Sequence, residues 1–356
     1  MADKMRAVVL YGPGDIRVEG WDMPSPTASE VLIRVIACGV CGSDLPRVNA
    51  LGAYYHPIVP GHEFAGEVVA LGEGVQGLAQ GDRVTVMPLE PCMQCAFCQI
   101  GEYTMCENYG YYGSRRDGAF AQFIAVKAWN CVKLPDNVSF EAGAMVDPAA
   151  VALHAIRRGQ LDFGASATVF GAGPIGLFAA ELLKLRGCGT LCVVDMFDEK
   201  FELLRSLELP GKVVEVDSRK GDAIEAIFEA TGGKGSDFVI DTAGSPVTQA
   251  LAIDAAARLG HIVYVGSANG DVDVTKARFE KILRRQLSLY GSWNSSIKPF
   301  PVNEWEIILA YMASGQLKAE PLVSHRISLD EAPGALKWMY ARDRFFSKVI
   351  IEPWQS

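Results

Sequence analysis

The sequence predicts an α/β protein in two parts, a β-rich unit joined to a doubly wound parallel sheet. Three observations carry this. At 356 residues the chain is long for one domain, and two is the natural division. Before about residue 140, short apolar strands are punctuated by Gly and Pro, with no long helical period. From about residue 150 the texture changes to strands alternating with helices, the pattern of βαβ units.

Hydrophobic residues make up 49% and charged residues 21%, ordinary for a soluble globular protein with a full-sized core. The first ten residues are a short polar lead into a strand, without the apolar core or cleavage pattern of a signal peptide. No uncharged apolar run reaches membrane-spanning length, so a cytoplasmic protein without a membrane partner is expected. The formal net charge of −9 argues against a broad nucleic-acid surface. An anionic small molecule needs only a few well-placed Arg or Lys and is not excluded.

Taken in order, residues 5–10, 31–37, 66–70 and 82–87 read as strands. Between the second and third, Cys41, Asp44, His62 and Glu63 bring a thiolate, an imidazole and two carboxylates close together in sequence. Cys, His and Glu all bind zinc, and three protein ligands plus one open position is that metal's catalytic arrangement. A Cys and a His merely buried in a core is the plainer alternative. Next come Cys92, Cys95, Cys98 and Cys106, spaced C-x2-C-x2-C-x7-C. Four thiolates can enclose one tetrahedral zinc with no position left for a substrate. An iron–sulfur run would want its last Cys sooner and followed by Pro, whereas Glu107 follows Cys106. Nine cysteines with four clustered here suggest metal rather than disulfides in an intracellular chain. Cys38, Cys131, Cys188 and Cys192 sit in apolar settings and are expected in cores.

The second part opens with a strand at 167–170. Gly171, Gly173, Pro174, Ile175 and Gly176 follow at once and lead into a helix that ends at Gly187. Glycines let the backbone approach a pyrophosphate, and the helix start supplies free N–H groups. The next strand, 191–194, ends at Asp195, which can accept hydrogen bonds from a ribose 2′-hydroxyl and would repel a 2′-phosphate. Met196, Phe197 and Asp198 provide no Arg, so NAD is expected rather than NADP. Helices at 222–230, 247–259 (stopped by Gly260) and 275–285 alternate with strands at 238–241, 262–265 and 287–290 in a six-stranded sheet. Thr242, Gly266 and Ser267 fall at carboxyl ends of strands, where a dinucleotide lies. Two more helices follow, one at 303–314 and one opened by a capping box at 328–331, then a closing strand at 348–351. This tail is expected to rejoin the first part. The expected domains are therefore 1–152 with 294–356, and 153–293.

The run Gly61-His62-Glu63-x-x-Gly66-x5-Gly72-x-x-Val75 precedes the four-cysteine lobe and the 171–176 turn. In that order they resemble the zinc-containing medium-chain alcohol dehydrogenases over essentially the whole chain. The resemblance implies a GroES-like catalytic domain with a Rossmann domain inserted before its C-terminal part. Residues 41–47, 113–121, 281–285, 291–293 and, more weakly, 303–306 resemble the polyol branch, the sorbitol dehydrogenases and their relatives the galactitol-1-phosphate 5-dehydrogenases.

Carried over by position, the resemblance implies that Cys41 and His62 hold a catalytic zinc, with Glu63 a third ligand or just behind it. Asp44 matches the acid that orients the imidazole of His62. Polyol dehydrogenases place a further Glu before a Pro on the way into the Rossmann domain. Here Asp147 stands before Pro148, one methylene shorter and about 1.5 Å short in reach, so it meets the metal through water unless the backbone moves inward. Ser43 matches the hydroxyl that relays a proton outward. Pro46 stands where several relatives carry a His, leaving water, ribose or His56 to continue the relay.

The implied reaction is NAD-linked oxidation of a secondary alcohol, in a polyol or polyol phosphate, to the ketone. Two zinc ions per chain and a homodimer or homotetramer go with it. A substrate phosphate would call on Arg47, Arg115, Arg116 and Lys298, with Tyr55 and Trp293 as further substrate candidates. Arg115 and Arg116 could instead pair with acids, which leaves a neutral polyol or a sugar acid open. A non-catalytic binding relative should lack the Cys41, His62 and Glu63 set, which this chain retains. A nucleic-acid role for the cysteine lobe would need basic flanks, and residues 88–91 and 99–102 have none.

Overall fold

The apolar run at Glu30–Gly39 is almost wholly buried because strands pair with it on both edges and packed layers cover its faces. It is the centre of a seven-stranded sheet in this computed structural model, which describes residues 4–298 and 302–355. The spatial order is Val323–Ile327, Lys348–Ile351, Glu30–Gly39, Glu63–Leu71, Arg83–Val86 and Cys131–Lys133, with Phe123–Lys127 also paired to Glu30–Gly39. Val31, Ile33, Val35, Phe64, Val68, Phe120 and Leu336 pack into its core. The strand Lys348–Ile351 pairs antiparallel with Glu30–Gly39, with Ile351 opposite Cys38. That register brings Lys348 to the end of the central strand, where Cys41 begins its loop. Strands Asp15–Asp22 and Phe123–Lys127 were not anticipated.

The chain divides into two units. One comprises the described residues of Met1–Asp147, Ser296–Gly315 and Leu322–Ser356, and the other Pro148–Ser295 with Gln316–Pro321. The first boundary between the units falls between Asp147 and Pro148, within the helix Val146–Arg158.

The second unit holds six parallel strands in the order Lys212–Asp217, Thr190–Asp195, Ala167–Phe170, Ser236–Asp241, Ala256–Tyr264 and Ser288–Gly291. The first strand in sequence lies in the middle and the chain winds outward both ways, the doubly wound arrangement. Lys212–Asp217 is the strand that the sequence left unplaced, as was the helix Asp198–Ser206 before it.

One expected element is corrected. The helix at 247–259 ends at Ala255, and residues from Ala256 onward are strand. An Ala-rich run favours helix, but pairing of Ala256 with Ser236 overrides that preference. Arg285 Nη1 fixes the switch by donating to the carbonyls of Asp254 (3.0 Å) and Ala256 (2.6 Å). The expected capping box at 328–331 is also corrected: the helix is Ala332–Ala341 with Glu331 as its N-cap, and Ser328 donates to Glu331 Oε2 through its N–H (2.8 Å) and hydroxyl (2.9 Å) in the turn before it. Among the described residues no helix is long and apolar enough to cross a membrane.

Candidate metal centres and dinucleotide site

The central strand ends at Gly39, and the chain turns through Cys41 into a one-turn helix, Asp44–Pro46. Asp44 is fully buried and organises the turn. It accepts from the Cys41 N–H (3.0 Å) and from Arg47 Nη1 (3.0 Å), and its Oδ1 lies 3.3 Å from His62 Nδ1. His62 and Glu63 arrive at the start of the neighbouring strand Glu63–Leu71. Donor atoms of Cys41, His62 and Glu63 consequently lie within 4.8 Å of one another.

Asp147 does not join that triplet, but it is buried and its Oδ1 has no hydrogen-bond partner among the described residues. Burial pushes its carboxyl up to about 7, with His62 and Lys348 pulling the other way. Burial works against a charged His62, yet Asp44 and Cys41 hold its proton well above the usual range. A pocket of this kind is short of positive charge. Converging sulfur, nitrogen and oxygen donors beside an orphaned buried carboxylate oxygen fit a zinc ion.

Sequence reasoning missed two members of this site. Lys348 Nζ donates to Glu63 Oε2 at 2.5 Å and to the Val40 carbonyl at 3.3 Å, and both side chains of the ion pair are buried. The available signal was a lysine opening an otherwise apolar buried strand, Lys348–Ile351. Tyr111 packs edge-on against His62, ring centres 5.5 Å apart. Nothing in its sequence context marked it. Ser43 Oγ donates to Cys41 Sγ at 3.3 Å and is open to solvent. His56 is taken up by its own turn, where Nε2 accepts from the Ala53 N–H (3.2 Å).

In the cysteine lobe, the sulfurs of Cys92, Cys95, Cys98 and Cys106 also lie within 4.8 Å of one another. Main-chain N–H groups point at them: Cys92 N–H at Cys106 Sγ (3.2 Å) and Cys95 N–H at Cys92 Sγ (3.4 Å). Hydrogen bonds from the backbone of Glu107 and Cys98 lower the Cys95 thiol to about 6. Burial pushes Cys98 up to about 12 and raises Cys106 as well, so the fit to a closed tetrahedral zinc site rests on the convergence of the four sulfurs.

The proposed substrate residues fall out unevenly. Arg47 is committed to Asp44, Arg116 Nε sits 2.5 Å from Glu90 Oε2, and Lys298 Nζ is 2.6 Å from Glu102 Oε1. Arg115 lies over the rings of Tyr54 and Tyr109. Tyr55 is exposed in the first unit, and Trp293 is exposed in the second.

In the second unit, the turn between Ala167–Phe170 and the helix Pro174–Leu185 divides its work among three glycines. Gly171 has φ +92°, a Cβ on Gly176 would lie 1.8 Å from the Gly171 carbonyl, and Gly173 faces open space. Open space at the start of a helix that begins Pro174-Ile175 fits the approach of an anionic group such as a pyrophosphate. Thr242 donates its hydroxyl to the carbonyls of Phe170 (3.0 Å) and Gly171 (2.9 Å), so it braces the turn. Gly266 packs against Gly244, and Ser267 is exposed. Asp195 Oδ2 accepts from the Ala172 N–H (2.7 Å) and lies 3.3 Å from Lys200 Nζ. Cations are thus closer to this corner than residues 196–198 suggested. Arg219 and Lys220 also come in, paired with Asp198 and Asp217.

Residues 27–136 match the alcohol dehydrogenase GroES-like domain, and residues 174–314 match the zinc-binding dehydrogenases. The chain belongs to the zinc-containing medium-chain alcohol dehydrogenases. Its two units are the GroES-like and Rossmann halves of this oxidoreductase family, as the resemblance implied. The dehydrogenase is 35% identical over 350 residues to galactitol 1-phosphate 5-dehydrogenase of Escherichia coli strain K12, covering 98% of this chain and 100% of that one. It is 30% identical over 354 residues to sorbitol dehydrogenase of Bacillus subtilis, covering 98% and 97%. The crystal structure of galactitol-1-phosphate dehydrogenase from Escherichia coli matches it with a TM-score of 0.90, 35% identity and coverage of 98% and 100%. A Sinorhizobium meliloti protein of the zinc-binding dehydrogenase type, bound to NADP, matches with a TM-score of 0.89, 30% identity and coverage of 99% and 100%.

Proposed function

We propose that the chain is a zinc-dependent, NAD-linked dehydrogenase that oxidises a secondary alcohol of a polyol or polyol phosphate to the ketone. Galactitol 1-phosphate is the leading substrate. The observation that carries this reading is the convergence of Cys41, His62 and Glu63 donors within 4.8 Å, beside the unpartnered Oδ1 of Asp147. Cys41 and His62 would hold the catalytic zinc. Glu63 is the weaker third donor, because one of its oxygens already carries the Lys348 ammonium. Asp147, directly or through water, completes the set. Cys92, Cys95, Cys98 and Cys106 would hold a second, structural zinc. The 171–176 turn and Asp195 would hold the dinucleotide. When bound, zinc supplies Lewis acidity to an alcohol oxygen and the nicotinamide accepts a hydride.

The remaining tasks fall to the chain's own side chains. Asp44 sits at Nδ1 of His62 and so leaves the other ring nitrogen for the donor set. Arg47 and the Cys41 N–H in turn hold Asp44. Ser43, solvent-open beside the Cys41 sulfur, takes the alcohol proton and passes it to water, since Pro46 has no proton to relay and His56 is engaged elsewhere. Asp195 favours a ribose 2′-hydroxyl over a 2′-phosphate, with Lys200 balancing part of its charge. A homodimer or homotetramer belongs to the same reading. The test is a panel of hexitols, hexitol phosphates and aldonates assayed with NAD and NADP. NAD reduction by polyols or their phosphates is expected. Oxidation of none of them, or turnover with NADP alone, would overturn the reading.

A further inference from the structure

The four cations available for a substrate phosphate are not equivalent once the chain is folded. Arg47, Arg116 and Lys298 each face a carboxylate, from Asp44, Glu90 and Glu102 respectively, which an incoming phosphate would have to displace. Arg115 differs. Its guanidinium lies 4.0 Å from the ring centre of Tyr54 and 4.6 Å from that of Tyr109, and it makes no ion pair among the described residues. Aromatic rings engage the faces of a guanidinium and leave its N–H edge outward. That edge is a fork of donors matched to two oxygens of one oxoanion.

The position of Arg115 is tied to the metal centre in two ways. Its stacking partner Tyr109 lies 6.5 Å from Tyr111, and Tyr111 lies 5.5 Å from the His62 ring. A continuous series of aromatic contacts therefore runs from the guanidinium to the candidate zinc ligand. The loop that carries Arg115 is also bonded to the segment that delivers His62. Gly118 N–H donates to the Val59 carbonyl (2.6 Å) and Ala119 N–H to the Gly61 carbonyl (2.9 Å), while Arg115 N–H closes the turn on the Tyr111 carbonyl (2.8 Å). A Cβ on Gly118 would lie 2.1 Å from the Gly61 carbonyl, so the two segments are in the closest contact glycine permits.

We propose that Arg115, held between Tyr54 and Tyr109, receives the phosphate of a polyol phosphate and sets the preference for the phosphate ester over the neutral polyol. This rests on the polyol-dehydrogenase reading above and names its specificity-determining residue. Arg116, one position on, is assigned to Glu90 instead.

The test compares wild type, Arg115→Gln, Arg115→Lys and Arg116→Gln on galactitol 1-phosphate, galactitol and galactonate, with NAD. In Arg115→Gln the ratio of kcat/KM for the phosphate to that for galactitol should fall about tenfold or more, mainly through KM of the phosphate. Arg115→Lys should recover part of the ratio, because an ammonium keeps the charge without the fork. Arg116→Gln should shift the ratio less than Arg115→Gln. Equal losses on both substrates, a larger shift in Arg116→Gln, or a shift confined to galactonate would each overturn the assignment. A wild type that oxidises galactitol with no advantage from the phosphate overturns it too, while leaving the dehydrogenase reading intact. A wild type that oxidises none of the three instead refutes the underlying reading.

Discussion

Lys348 decides how Glu63 can behave. Both are buried, and their 2.5 Å contact joins positions 285 residues apart. Removing one member of a buried pair leaves an uncompensated charge, which typically costs about 3–5 kcal/mol. Lys348→Met should therefore lower the free energy of unfolding by roughly that amount, and adding Glu63→Gln should restore most of it. Denaturant titration of the single and double variants measures this, and a single variant within about 1 kcal/mol of wild type would show that the pair is not coupled as drawn. Cys41, His62 and Glu63 were legible because their residue types and spacing advertise a metal. Lys348 was not, because only the register of Lys348–Ile351 beside Glu30–Gly39 brings it there. Asp147 was legible as a candidate, but its unpartnered oxygen is a fact of burial that no spacing reports.

The helix Pro174–Leu185 carries a second buried carboxylate with a different consequence. Glu181 Oε1 accepts from the Lys318 N–H at 2.8 Å, while Oε2 has no hydrogen-bond partner among the described residues. Burial raises this carboxyl to about 8. The unfolded chain releases the same proton near about pH 4.3, so between these values the folded state binds more protons and stability falls as pH rises. Glu181→Gln keeps an acceptor for Lys318 and removes the ionisation. It should flatten this slope and be more stable than wild type at pH 8, by on the order of 1 kcal/mol or more. Thermal midpoints from pH 5 to pH 9 check it, and parallel profiles for the two proteins would contradict it. Elements were legible where period and punctuation agreed, as from Ala167 to Leu185. The helix at 247–259 was over-extended because Ala-rich residues carry little strand signal and Arg285, which captures their carbonyls, is remote in sequence. The strand Lys212–Asp217 went unplaced because it lies at the sheet edge with a polar, partly exposed pattern.

At the scale of the whole molecule, alternation of strands and helices after residue 150 marked a doubly wound sheet, and the Gly and Pro texture before it marked the β-rich unit. What pattern alone did not convey is that the last strand sits next to the first long one in the seven-stranded sheet, completing the surroundings of Cys41. The central claim is that two sets of donors, Cys41 with His62 and Glu63 or Asp147, and the four cysteines, make this a zinc enzyme. The most direct measurement follows zinc content together with NAD-linked oxidation of galactitol 1-phosphate through chelation and zinc re-addition. Two zinc equivalents per chain should be present at the start. Activity should disappear with the first equivalent removed and return when zinc is restored, while Cys41→Ser should retain one equivalent and no activity. Full activity in protein stripped of metal, or in Cys41→Ser, would contradict the account.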